Sequence, residues 1–246
     1  MRRPAQPNSR TCGPWDPRNS ESGSSGMAQM HGREKLVGQI TAEEWRTGRP
    51  AARLSWLLTT KSKEVAERVS ELYHGDVVCA ASGGDLYARK LHAAGIAVIV
   101  AGVANVRPRL ALDNERGLVH ACDGSKYLPP MLDEGAPCGC PDNPFERRAA
   151  ARSGAGPRPD ACLVFSLAAA PGLGEFSVRS SAWQFYESLE SVSHEVGRTA
   201  GPMQMELVLR EQSLATRSGL DVSFTYPEVH SVRCLSVTKA GLHLAA

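Results

Sequence analysis

Residues 54–75 read LSWLLTTKSKEVAERVSELYHG, and they contain the first complete structural unit of the chain. Leu54 to Thr59 is a short apolar run of strand type. Ser62 follows as a helix N-cap, with a hydroxyl able to accept one of the unpaired N–H groups of a first turn. Val65, Val69, Leu72 and Tyr73 then recur at intervals of three and four, as one buried face of an α-helix requires, and Gly75 supplies the stop. His74, beside that stop, suits the negative end of the helix dipole better than acid–base chemistry.

Working outward, Val77 to Ala80 reads as a strand, Ser82-Gly83-Gly84-Asp85 as a turn, and Leu86 to Leu91 and Ile96 to Ala101 as further strands. Val103 to Val119 is less regular. Leu163 to Leu167, the turn Pro171-Gly172-Leu173-Gly174 and Glu175 to Val178 then predict a hairpin. Ser181 with Gln184 three residues later has the form of a capping box for a helix over 182–196. That helix turns Trp183, Tyr186, Leu189 and Val192 inward and ends at Gly197. Met203 to Leu209 and Val222 to Tyr226 predict a closing antiparallel pair. The fold class is α+β, with mixed or antiparallel sheets, two main helices and a cysteine-rich, zinc-stapled loop.

The chain has 246 residues, 42% of them apolar, enough for one large domain or two small ones. Residues 1–35, with four prolines and the run Ser20 to Gly26, have little to bury and read as a disordered leader. Residues 36–240 form a single domain, with two halves of similar grammar that suggest an old duplication, and 241–246 are a tail. Lys and Arg number 28 against 26 Asp and Glu, and removing the four arginines and two acids of the first 26 residues leaves 24 against 24. A neutral body argues against primary DNA binding, where neutralised phosphates supply most of the affinity. The longest apolar run, Ile96 to Ala101, is far short of the roughly 20 residues that cross a bilayer, and no signal peptide is visible. A cytoplasmic protein is expected.

Seven cysteines, an odd number, argue against a disulfide framework. Cys12 falls in the leader, and Cys79 and Cys234 sit in strand-like contexts as small apolar side chains. Cys122, Cys138, Cys140 and Cys162 bracket an excursion, residues 120–162, that is rich in Pro, Gly, Asp and Arg and cannot build a core. Four thiolates on one zinc ion would close it, with His120 or Asp142 able to replace one of them. Gly139 lets the chain curl between Cys138 and Cys140. Asn143, Pro144 and Glu146 supply cap, first-turn proline and capping partner for a short helix to about Arg152. With all four positions filled the metal is structural.

The motifs of catalysis are missing: there is no G-x-S-x-G, no H-E-x-x-H and no glycine-rich loop followed by Lys-Ser or Lys-Thr. Catalytic and cofactor-binding residues are therefore assigned to none.

The order of these landmarks resembles that of the recombination directionality factors of actinobacterial temperate phages that use a large serine integrase. The resemblance runs from about residue 36 to 240. It rests on the strand–helix unit Leu54 to Tyr73 with Gly75, Cys122-Asp123-Gly124, Cys138-Gly139-Cys140-Pro141 with the Glu146-Arg147-Arg148-Ala149 helix, Cys162-Leu163, Pro171 to Gly174 and Ser181-Ala182. Relatives often carry a further upstream cysteine, absent here, with His120 the nearest alternative donor.

The resemblance implies a non-catalytic protein that binds the integrase at its coiled-coil and zinc-domain region. It would switch the enzyme from attP × attB integration to attL × attR excision and touch DNA only through it. Trp45, Trp56, Tyr127, Trp183 and the tail Leu242 to Ala246 are candidate contacts, each also an ordinary candidate for packing. Two other readings remain: a zinc-stapled nucleic-acid-binding phage regulator using Arg147, Arg148, Arg152 and Arg158, and a phage enzyme without a visible motif.

Overall fold

A computed structural model describes residues 36–42, 55–78, 86–215, 221–238 and 241–244. The predicted leader, Trp45, Cys79 and the turn at 82–85 lie outside the described residues, as does the side chain of Cys234. In chain order the elements are β1 (Leu36–Ala42), β2 (Trp56–Thr60), α1 (Lys63–Tyr73), β3 (Asp76–Val77), β4 (Tyr87–Leu91), β5 (Gly95–Val100), β6 (Val106–Arg107), β7 (Leu110–Asn114) and β8 (Gly117–Cys122). There follow α2 (Pro144–Arg152), β9 (Arg158–Pro159), β10 (Ala161–Leu167), β11 (Glu175–Ser180), α3 (Trp183–Arg198), β12 (Met203–Ala215), β13 (Asp221–Thr238) and β14 (Gly241–Leu244).

The main sheet has the order β14-β13-β12-β5-β10-β11-β1-β2-β4-β3, with β6 also paired to β10. The β1–β11 pairing is parallel and the other described pairings in this sheet are antiparallel. Strand alternation places Leu163, Val178, Ile40 and Leu58 opposite one another across β10, β11, β1 and β2, and all four are fully buried. In the next row Phe165 faces Phe176, their rings stacked with centroids 6.3 Å apart. Helix α1 packs against β2 and β4, and α3 against β6, β10 and β13.

The expected α+β class with mixed sheets is the observed one, but the sheet dominates, and among the described residues there are three α-helices, not two principal ones. The segment Val103 to Val119, expected to be less regular, holds β6, β7 and the first half of β8. With β9 from further along the chain, β7 and β8 form a second sheet of order β8-β7-β9. Its strands were hard to see because they are short and β7 ends in polar Asp113 and Asn114. Both halves contain a hairpin, a helix and a following strand, but the pairings differ: β4 returns to β2, whereas β12 passes to β5.

Helix ends follow local chemistry. The Val65 N–H donates to the Ser62 hydroxyl at 3.3 Å, the expected cap. At the other end His74, not Gly75, takes the left-handed conformation (φ 51°). Gly75 is needed for closeness instead: a Cβ there would lie 2.9 Å from the Ser70 hydroxyl and 3.0 Å from Leu91. For α3 the expected capping box is replaced. The N-cap is Ala182 without a side-chain bond, Ser180 accepts from the Ala182 N–H at 3.1 Å, and Gln184 donates to Gln212 at 2.7 Å. The helix also runs past Gly197 to Arg198.

These caps separate two serines that look alike in sequence. Ser62→Ala should cost about 1 kcal/mol in urea unfolding. Ser181→Ala should stay within about 0.5 kcal/mol of the parent, since Ser181 is exposed and caps nothing.

Candidate metal centre

On a strand, residues two apart share a face, so β8 presents His120 and Cys122 on one side. A bulge just before them leaves Val119 as the extra residue, since Leu112 pairs with His120 and Asp113 with Leu118. After Cys122 the chain turns at once. The Asp123 carboxylate accepts the N–H groups of Ser125 (2.8 Å) and Lys126 (2.7 Å), and the Asp123 N–H donates to the Lys126 carbonyl at 3.1 Å. The returning loop is tied to this turn by the Cys138 N–H, which donates to the Ser125 carbonyl at 2.9 Å. Gly139 has φ +73°, the left-handed curl that brings Cys138 and Cys140 round to the same side.

Four donor atoms therefore meet. Those of His120, Cys122, Cys138 and Cys140 all lie within 4.8 Å of one another. Cys122 Sγ is 3.7 Å from Cys140 Sγ, and Cys140 Sγ is 3.4 Å from His120 Nε2. Ligands placed tetrahedrally at about 2.3 Å for sulfur and about 2.0 Å for nitrogen would be separated by about 3.8 Å and about 3.5 Å. The two separations match those edges, and the sulfurs are much too far apart for a disulfide.

Burial supports a neutral, unprotonated imidazole, because it pushes the His120 pKa down. The same burial pushes the Cys122 and Cys140 thiols up, so without a cation they hold their protons. A cation at the centre would reverse that preference, and the two cysteines would hold it as thiolates. The Tyr127 ring packs on His120, centroids 4.9 Å apart, and limits access from one side.

Three of the four predicted thiols converge, and the fourth does not. Cys162 stands on β10, paired in register with Arg107 and Arg179, and is not in the donor group; burial pushes its thiol up as well. Asp142 is exposed and also outside the group. His120, weighed as a substitute in the sequence, takes the fourth position. The sequence offered His120 only as the nearest alternative donor; the signal that could have decided it is the His-x-Cys spacing on a strand, which gives a shared face, whereas Cys162 stands in a strand of the main sheet.

The helix expected after the thiols is α2, with Asn143 as cap accepting the Phe145 N–H at 2.9 Å and Pro144 in the first turn. Arg147 donates to the Pro141 carbonyl at 3.1 Å, and Arg148 pairs with Glu187 and lies over the Trp183 ring, 5.6 Å from its centroid. Two arginines of the proposed basic cluster are thus engaged inside the molecule. Arg152 and Arg158 are exposed. Of the candidate contact residues, Trp56 is fully buried in the core, Tyr127 packs on His120, and Trp183 is partly buried. The Gly241–Leu244 part of the tail forms β14.

Residues 24–231 match the family model Gp3-like, described as recombination directionality factor-like. The chain belongs to that family. A Gp3-like protein is in type a regulatory accessory of recombination. No solved structure matches this Gp3-like chain. Among its described residues, no helix is long and apolar enough to cross a membrane.

The donor set makes a sharp prediction. Native mass spectrometry of the intact chain should show one bound ion that persists in Cys162→Ser and is lost in His120→Ala and Cys138→Ser.

Proposed function

We propose that this chain is a recombination directionality factor that binds a phage large serine integrase and turns it from attP × attB integration to attL × attR excision, inhibiting the forward reaction. The observation that carries the reading is the family match over residues 24–231. The integrase supplies the nucleophile and the DNA-binding domains, and this protein supplies differential binding to one arrangement of the integrase's coiled-coil and zinc-domain region. A hundredfold reversal of preference needs a difference of about 2.7 kcal/mol between the two arrangements, within reach of a modest interface. The complex works on prophage DNA in the host cytoplasm, and contact with DNA runs through the integrase.

The metal in this reading is zinc, held by His120, Cys122, Cys138 and Cys140. One nitrogen and three sulfurs suit zinc, two of their separations match tetrahedral edges, and four protein donors leave no open position for catalysis. Its role is to fix the loop between Asp123 and Asn143. The alternative, a zinc-stapled nucleic-acid-binding phage regulator, loses support from the engagement of Arg147 and Arg148.

Recombination of attL × attR and of attP × attB by the purified cognate integrase, with and without this chain, tests the proposal. Addition should raise the first product and lower the second. Unchanged yields in both directions would reject it, and salt-sensitive DNA binding without integrase would favour the regulator.

A further inference from the structure

The loops that carry the donors are each gripped one residue beyond a thiol. Asp123 follows Cys122, and its carbonyl oxygen lies 2.7 Å from the Tyr186 hydroxyl of α3. Pro141 follows Cys140, and its carbonyl accepts from Arg147 Nε of α2 at 3.1 Å. The Arg147 guanidinium also covers Gly124, where an added Cβ would sit 2.7 Å from Nη1. The next residue, Arg148, reaches Glu187 and the Trp183 ring, and Trp183 meets Tyr186 edge-on with centroids 6.0 Å apart. The chain of contacts closes on itself, from donor loop to α3, from α3 to α2, and from α2 back to the donor loop.

Two details give this circuit a function. Helix α2 buries only Ala151, so its seat rests on its two arginines and not on an apolar stripe. Tyr186, 1% exposed, has a second acceptor: Glu190 Oε1, one turn along its own helix at 2.8 Å. A single O–H serves one acceptor fully at a time, so the hydroxyl has two settings, across to the donor loop or along α3.

We propose that Tyr186 is a positioning residue for the metal centre, and that occupancy of the centre is transmitted through Tyr186 and Arg147 to the packing of α2 against Trp183. The inference rests on the reading that the four donors hold a metal. A bound ion keeps the Asp123 carbonyl where Tyr186 meets it. Loss of the ion leaves Tyr186 bonded to Glu190, which frees the donor loop and unseats α2 without unfolding α3. Metal thus controls the surface made by Arg148 and Trp183.

The test uses the full chain, zinc alone as the probe, and competition with a chromogenic chelator. Uptake of no ion by the parent protein would overturn the metal reading and this inference together, and it would be seen before any variant is made. With uptake established, Tyr186→Phe should bind zinc about 10–100-fold more weakly, as loss of groups orienting metal ligands does. Its loss of stability relative to the parent should be larger with zinc than without, because the metal-free form loses only the bond to Glu190, a difference that a purely structural role would not give. Emission from Trp183, isolated by subtracting the Trp183→Phe spectrum, should change on chelation in the parent. Parental zinc affinity in Tyr186→Phe, or equal destabilisation with and without zinc, would overturn the proposal. If Tyr186→Phe does not fold, Arg147→Gln carries the same test: weakened zinc binding supports the circuit, and parental affinity with an unchanged Trp183 response overturns it.

Discussion

Between Asp123 and Asn143 the only buried hydrophobic side chain is Cys138, so this stretch cannot hold its shape by burial. Turn hydrogen bonds hold it, among them Cys138 N–H to the Ser125 carbonyl, and in the proposed reading a metal also holds it through the meeting of His120 and Cys122 from β8 with Cys138 and Cys140 from the returning loop. That meeting also sets the entry into α2, which starts at Pro144, and gives Tyr186 and Arg147 the carbonyls they hold. The hydrophobic core of the main sheet forms by ordinary strand alternation. Leu110 and Cys122 join the second sheet to that core, whereas α2 is tied to α3 and to the thiol loop mainly by the contacts of Arg147 and Arg148.

Much of the sheet was legible because its strands alternate or run continuously apolar, as from Ile96 to Val100 and from Leu163 to Leu167. The N-cap at Ser62 and the start of α2 at Asn143 and Pro144 were legible for the same reason: a local chemical need met by a local residue. The sequence misled where tertiary partners intervene. Gln184 had the right spacing for a capping box but is taken by Gln212, twenty-eight residues away. The left-handed residue ending α1 is His74, because Gly75 is required where Ser70 and Leu91 come close.

The donor cluster was half legible. Composition pointed to it, since a segment rich in proline and glycine has little to bury, and three of its thiols were assigned together. The fourth donor depended on where β10 runs. Cys162 is drawn into the main sheet between Arg107 and Arg179, and only strand geometry shows that His120 shares a face with Cys122. Function left no fixed spacing of reactive groups to read. It was legible only as the order of landmarks that resembles recombination directionality factors, and the family match over residues 24–231 supports that reading at the level of the family.

X-ray absorption at the metal edge of the isolated full chain tests the central claim most directly. The account predicts a first shell of three sulfurs at about 2.3 Å and one nitrogen at about 2.0 Å. A shell of four sulfurs, which would bring Cys162 back as a ligand, or a shell of oxygen and nitrogen alone would contradict it.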